Sequence, residues 1–326
     1  MNIDMIEQAA KRLKGHARKT PLLSSPFLDD IAGRRVFVKA ECLQHTGSFK
    51  FRGAWSAISM LTDNALKTGV IAFSSGNHAQ GIALAARLHK TPATIVMPND
   101  APQLKIDNTC ALGAKVVLYD RTNEDRQAIG EKLAAERGLT LIKPFDEPQV
   151  IAGQGTCGLE IAEQAAEEGI DTADVLVCCG GGGFTSGIAL ALEAVAPGLR
   201  VRPVEPVNFD DVTRSLVSGQ IEHNTQTSGS LCDAIITQQP GDLTFPIMHR
   251  LCGPGIIVDE RDCLRAMVQA YARLKIVLEP GGAIALAAAL YYGDQIEGEA
   301  VIVTASGGNV DRSVFQHALE TYGDQI

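Results

Sequence analysis

Ser48-Phe49-Lys50-Phe51-Arg52-Gly53-Ala54 sets one lysine between two phenylalanines. A lysine amine is a nucleophile only when deprotonated, and apolar surroundings favour that neutral form because burial disfavours the ammonium. A free amine beside an aromatic face suits a Schiff base with an aldehyde cofactor whose ring lies against Phe49. A lysine snorkelling past two core aromatics would look the same in isolation. The segments around it decide between the two.

Short β-branched runs at 35–40, 70–73, 93–97, 115–119, 174–178, 200–204 and 300–304 alternate with helical patterns at 77–88, 103–111, 123–137, 148–168, 184–195, 260–274 and 282–291. This alternation predicts βαβ units and parallel sheets covered on both faces. Residues 53–146 form a βα series that Pro144 and Pro148 close, so they are expected as a small domain, with 1–52 and 147–326 as the large one.

With 326 residues the chain can build two cores; 45% hydrophobic and 21% charged residues mark it as globular. A net charge of −9, from 29 basic and 38 acidic residues, argues against sequence-independent nucleic-acid binding. The start lacks a basic stretch followed by an apolar one, and the longest near-apolar run, 281–292, is too short to span a bilayer. The eight cysteines have no Cys-x-x-Cys spacing. A reduced, cytoplasmic enzyme without membrane or nucleic-acid partners is expected.

Ligands of open α/β sheets bind beyond the carboxyl ends of strands, where glycine turns lead into helices. Three such junctions stand out. Gly180, Gly181, Gly182 and Gly183 follow an apolar strand and can converge their N–H groups on a phosphate. They fit neither the Gly-x-Gly-x-x-Gly dinucleotide fingerprint, which leaves a nicotinamide dehydrogenase unsupported, nor a Walker loop. Ser75-Gly76-Asn77-His78 opens a helix whose amides can hold a carboxylate, although Ser and Asn also serve as plain caps. Ser306-Gly307-Gly308-Asn309 ends a strand with a hydroxyl able to bond a ring nitrogen. Within Glu205-Pro206-Val207-Asn208-Phe209-Asp210-Asp211, two carboxylates and an intervening carbonyl could ligate a hard cation such as Mg²⁺, or the carboxylates could simply cap a helix.

Taken in order, these segments resemble the fold-type II pyridoxal-phosphate enzymes, in the threonine/serine dehydratase and serine racemase branch. Thr20-Pro21-Leu22, Lys39-Ala40-Glu41 and Ile151-Ala152-Gly153-Gln154-Gly155-Thr156 extend the match over nearly the whole chain. The resemblance implies a two-lobed, tryptophan synthase β-like α/β fold, each lobe a mostly parallel sheet, and a homodimer. It implies that Lys50 carries pyridoxal 5′-phosphate, with Phe49 near its ring, Asn77 on the 3′-oxygen, Gly180 to Gly183 on the phosphate and Ser306 on the pyridine nitrogen. Ser75, Gly76, Asn77 and His78 would hold the substrate carboxylate. Ser75 would be the second acid/base on the opposite ring face. Glu205, Phe209 and Asp211 fall on the branch's cation site, for Mg²⁺, Mn²⁺ or Ca²⁺.

Arg126 lies close to an arginine that approaches substrate in the racemases. Facing the pocket it would suit a second carboxylate, as in 3-hydroxyaspartate; otherwise it sits on a solvated helix face. About twenty residues follow Ser306, so a C-terminal regulatory domain is not expected. The expected activity is ammonia-lyase chemistry on threonine, serine or 3-hydroxyaspartate; alternatives are a racemase with side elimination and a non-catalytic binding protein on the same scaffold.

Overall fold

The computed structural model describes residues 1–326 apart from Ser75, Pro102, Arg121 and Ile326 and the side chains of Leu104 and Gln325. Among the described residues the strands are β1 (Leu22–Ser24), β2 (Arg35–Lys39), β3 (Val70–Phe73), β4 (Ala93–Pro98), β5 (Lys115–Tyr119), β6 (Thr140–Leu141), β7 (Ala173–Cys178), β8 (Leu199–Pro206), β9 (Ile256–Val258) and β10 (Ala300–Thr304). One sheet runs β1-β2-β10-β7-β8-β9 and the other β5-β4-β3-β6. All pairings are parallel except β1 with β2. The two-sheet α/β architecture expected from alternation is the one observed.

The central strands β7 and β10 are buried along their whole length. Their near-continuous apolar runs, Ala-Asp-Val-Leu-Val-Cys and Ala-Val-Ile-Val-Thr, suit a sheet covered on both faces. Helices Gly183–Val195 and Pro280–Tyr291 pack against β7 and β8, and Pro280–Tyr291 also against β10. Both are apolar around most of their circumference, as buried helices must be.

All four strands of the smaller sheet lie between residues 70 and 141. Helix Lys50–Ile58 is buried at every position after Lys50 and packs on both Asn77–Leu88 and Pro148–Glu167. It approaches the latter so closely that a Cβ on Gly153 would lie 2.5 Å from the Arg52 carbonyl. We propose 53–146 as the smaller lobe; its first boundary falls inside this helix, which then bridges the two lobes.

Two expected helices differ by more than two residues at an end. The 123–137 pattern starts at Arg126, because Asp125 caps the amides of Gln127 and Ala128. The 260–274 pattern is α-helical to Gln269, then widens into a π turn over Ala270–Leu274 that Lys275 ends at φ 60°.

Candidate active site

After β2 the chain makes two 3₁₀ turns, Glu41–Leu43 and His45–Gly47, and reaches Lys50 at the start of its helix. The Phe49 amide donates to the Ser306 carbonyl (3.2 Å), and Ser48 bridges Gly307, so the lysine is pinned to the end of β10. Lys50 Nζ donates to the Pro144 carbonyl at 2.8 Å and sits 5.1 Å from the Phe49 ring centre. Burial brings its pKa down to about 8. Phe49 stacks on Phe184 at 3.9 Å and also lines the cavity into which Lys50 opens.

That cavity, of about 170 Å³, lies at the carboxyl ends of both sheets. Lys50, Gly76, Asn77, His78, Arg126, the four glycines 180–183 and Ser306 all line it. Ser75 lies outside the described residues. Gly180 to Gly183 connect β7 to helix Gly183–Val195, whose first amides have no intrahelical partner. Gly182 adopts φ +90°, and a Cβ on Gly181 would lie 2.3 Å from the Phe145 ring. Bare backbone at a helix N-terminus is an anion cradle.

Gly76 precedes helix Asn77–Leu88. Asn77 Nδ2 donates to Glu279 Oε1 at 2.6 Å, and Asn309 Nδ2 donates to Asn77 Oδ1 at 2.7 Å. His78 lies 3.1 Å, through Nε2, from the Ile142 carbonyl, which can only accept, so Nε2 carries the proton. Burial first, and the charge of Lys50 second, push the His78 pKa down to about 3. The unfolded chain therefore binds a proton that the folded one refuses. Stability is full above the ordinary histidine pKa near 6.5 and falls as pH drops towards the depressed one. Urea midpoints at pH 7.5 and 5 should differ, and His78→Gln should remove about 2 kcal/mol of that difference.

Arg52, two residues after Lys50, is fully buried. It donates to both oxygens of Glu41 (2.8 and 2.8 Å) and both of Glu160 (2.7 and 2.8 Å). Lys39 Nζ donates to Glu160 at 2.6 Å, Thr20 donates to Glu41, and Arg52 Nη1 lies 3.2 Å from Thr156 Oγ1. Three separate sequence segments thus converge on one guanidinium that anchors the lysine's helix.

Sequence reasoning missed three cavity groups. Lys105 enters from helix Gln103–Ala111, largely shielded, with Asp233 and Asp311 at 3.8 and 3.9 Å. Glu279 precedes Pro280 and reads locally as a helix cap. Asn309 belonged to the third glycine junction, so its signal was present. Arg126 reaches the cavity although exposed, its guanidinium 5.9 Å from the Phe73 ring centre.

The predicted cation residues lie apart from this cavity. Glu205 ends β8 and accepts from the Val212 amide (2.9 Å) and from Thr213 N and Oγ1 (both 2.6 Å). Asp211 Oδ1 accepts from Asn224, while its buried Oδ2 has no hydrogen-bond partner among the described residues. Burial, then repulsion from Asp211, raises Glu205 to about 8; burial raises Asp211 to about 7. Two buried carboxylates with an orphan oxygen fit a hard cation. Among the described residues no three His, Cys, Asp or Glu side chains cluster as metal ligands.

Residues 13–307 match the family described as pyridoxal-phosphate dependent enzyme. The chain belongs to the pyridoxal-phosphate dependent enzymes. It is 46% identical to L-threo-3-hydroxyaspartate ammonia-lyase of Pseudomonas sp, covering 96% of this chain and 97% of that one. It is 43% identical to the L-threo-3-hydroxyaspartate ammonia-lyase of Saccharomyces cerevisiae, over 93% and 91%. The structure of maize serine racemase superposes with a TM-score of 0.90 at 36% identity, covering 99% and 98%. These place the chain in the fold-type II branch that holds ammonia-lyases and serine racemases. The cavity fits the family's cofactor on three counts: a shielded amine with a lowered pKa, an anion cradle without side chains, and a buried hydroxyl at Ser306.

Proposed function

We propose that this chain is an ammonia-lyase that converts 3-hydroxyaspartate to a 2-oxo acid and ammonia, with serine and threonine as weaker substrates. The observation that carries this reading is the pair of cations, Lys105 and Arg126, lining the same cavity as Lys50. The α-carboxylate has the amides at the start of helix Asn77–Leu88, with the Gly76 amide now donating to Ser74 Oγ at 3.2 Å; Arg126, and Lys105 beside Asp233 and Asp311, suit a second carboxylate. The ammonia-lyases at 46% and 43% identity support the same substrate.

When bound, pyridoxal phosphate supplies an electron sink for negative charge at the substrate α-carbon. The residues do the rest. Lys50 would carry the cofactor; once the substrate's amine displaces it, the freed amine, its pKa brought down to about 8, is partly uncharged at neutral pH and can take the α-proton. The β-hydroxyl leaves as water, one water returns, and ammonia departs, so the net products are 2-oxo acid and ammonia. Phe49 would pack by the ring, Gly180 to Gly183 would hold the phosphate and Asn77 the ring oxygen. Ser306 would face the ring nitrogen and, unlike a carboxylate, would not drive its protonation. Glu205, the Phe209 carbonyl and Asp211 would hold a divalent cation, Mg²⁺ first among the candidates. A cytoplasmic homodimer completes the reading.

A panel of 3-hydroxyaspartate, serine and threonine, assayed for 2-oxo acid with and without Mg²⁺, tests it. Arg126→Leu should lower kcat/KM for 3-hydroxyaspartate relative to serine by about 10-fold or more, the effect of losing one charged hydrogen-bond partner. No turnover of 3-hydroxyaspartate by the unaltered enzyme would sink the reading. The likeness to serine racemase supports one alternative, in which Ser75 returns a proton to the opposite face; rapid D-serine formation with little pyruvate would favour it.

A further inference from the structure

A chain of side-chain amides crosses the cavity wall with a definite polarity. The Thr46 carbonyl can only accept, so the group of Asn309 that meets it at 2.8 Å is Nδ2. The same Nδ2 gives its other hydrogen to Asn77 Oδ1 at 2.7 Å. Asn77 Nδ2 therefore points the other way, where Glu279 Oε1 lies at 2.6 Å and accepts when ionised. A backbone carbonyl at one end and a carboxylate at the other impose the same direction. The carbonyl of Asn77 is occupied by Asn309, and the amide hydrogen not given to Glu279 is left to donate.

We propose that Glu279 is a positioning residue that fixes Asn77 as a hydrogen-bond donor to the cofactor's ring oxygen, and so favours the anionic form of that oxygen. The proposal rests on the reading that Asn77 faces the ring oxygen. Two observations set Glu279 apart from an ordinary cap. It stands at the N-cap of helix Pro280–Tyr291 yet makes no side-chain capping bond. Residue 307 must also be glycine for the contact to exist, since a Cβ there would lie 2.1 Å from Glu279 Oε1 and 3.1 Å from Asn77 Nδ2. The carboxyl is kept at this place despite burial, with Asp233, Asp311 and Lys105 as its charged neighbours.

The test uses the cofactor-loaded protein and reads two quantities besides activity: affinity for pyridoxal phosphate and the pH dependence of the bound cofactor's absorption. Glu279→Leu and Asn77→Ala should each weaken affinity about 10-fold and raise the pH at which the absorption changes. The double variant should be no weaker than Asn77→Ala within about twofold, because Glu279 acts through Asn77. Glu279→Gln, which keeps an acceptor, should recover most of the loss. Wild-type affinity and spectrum in Glu279→Leu, or effects that multiply in the double variant, would overturn the proposal. An unaltered spectrum and affinity in Asn77→Ala would overturn both it and the reading beneath it. If Glu279→Leu fails to fold, Glu279→Asp, whose carboxylate is one methylene short of Asn77 Nδ2, should give the same spectral change; a wild-type spectrum there overturns the proposal.

Discussion

Lys50→Ala is expected to cut 2-oxo acid release by about 10³-fold or more, because one substitution removes both the covalent attachment and the base. The surroundings make this lysine hard to replace. Its amine is shielded, with its pKa brought down to about 8, and Phe49 and the end of β10 fix where it starts. Among the described lysines lining the cavity, Lys105 is the other, and it stands 3.8 and 3.9 Å from Asp233 and Asp311. Steady-state rates with 3-hydroxyaspartate, at saturating cofactor, check the prediction. A loss of less than about 10-fold would mean that the proton is taken elsewhere.

Arg52→Ala should destabilise the fold by about 3–5 kcal/mol, as expected when one partner of a buried ion pair is removed. Glu41 has no exposure. Burial alone would raise its pKa, but the charge and hydrogen bonds of Arg52, together with the charge of Lys39 and the Thr20 hydrogen bond, outweigh that and hold it below the usual carboxylate range. Without the guanidinium, Glu41 and Glu160 would face each other with Lys39 as the remaining nearby cation. The urea midpoint should fall accordingly. The double variant Glu41→Leu/Arg52→Met, which removes the charge and its partner together, should lose less than Arg52→Ala. A shift under about 1 kcal/mol in Arg52→Ala would show that the network is not worth what its burial implies.

The parts of this molecule that could be read from sequence are those written in contiguous residues. Strands such as β7 and β10 announce themselves as apolar runs, and all three glycine junctions lie at strand ends that line the cavity. Strands β1, β6 and β9, of three, two and three residues, are too short to carry a period. Helix Ile3–Leu13 had a legible signal, with Asn2 as cap and Ile6, Ala9 and Leu13 on one face, but it carried no chemistry to draw attention. Glu279 is a different case. It meets Asn77 across 202 residues, and a glutamate before a proline looks locally like a helix start. Lys105 and Arg126 lie in the first turns of helices of weak apolar pattern, and only the packing of the smaller sheet turns them towards Lys50.

Borohydride reduction of the cofactor-loaded protein, followed by peptide mapping, tests the central claim most directly. The reduced cofactor should be found on Lys50, in a peptide containing Phe49-Lys50-Phe51. An adduct on Lys39, on Lys105 or on no lysine would contradict this account of the site.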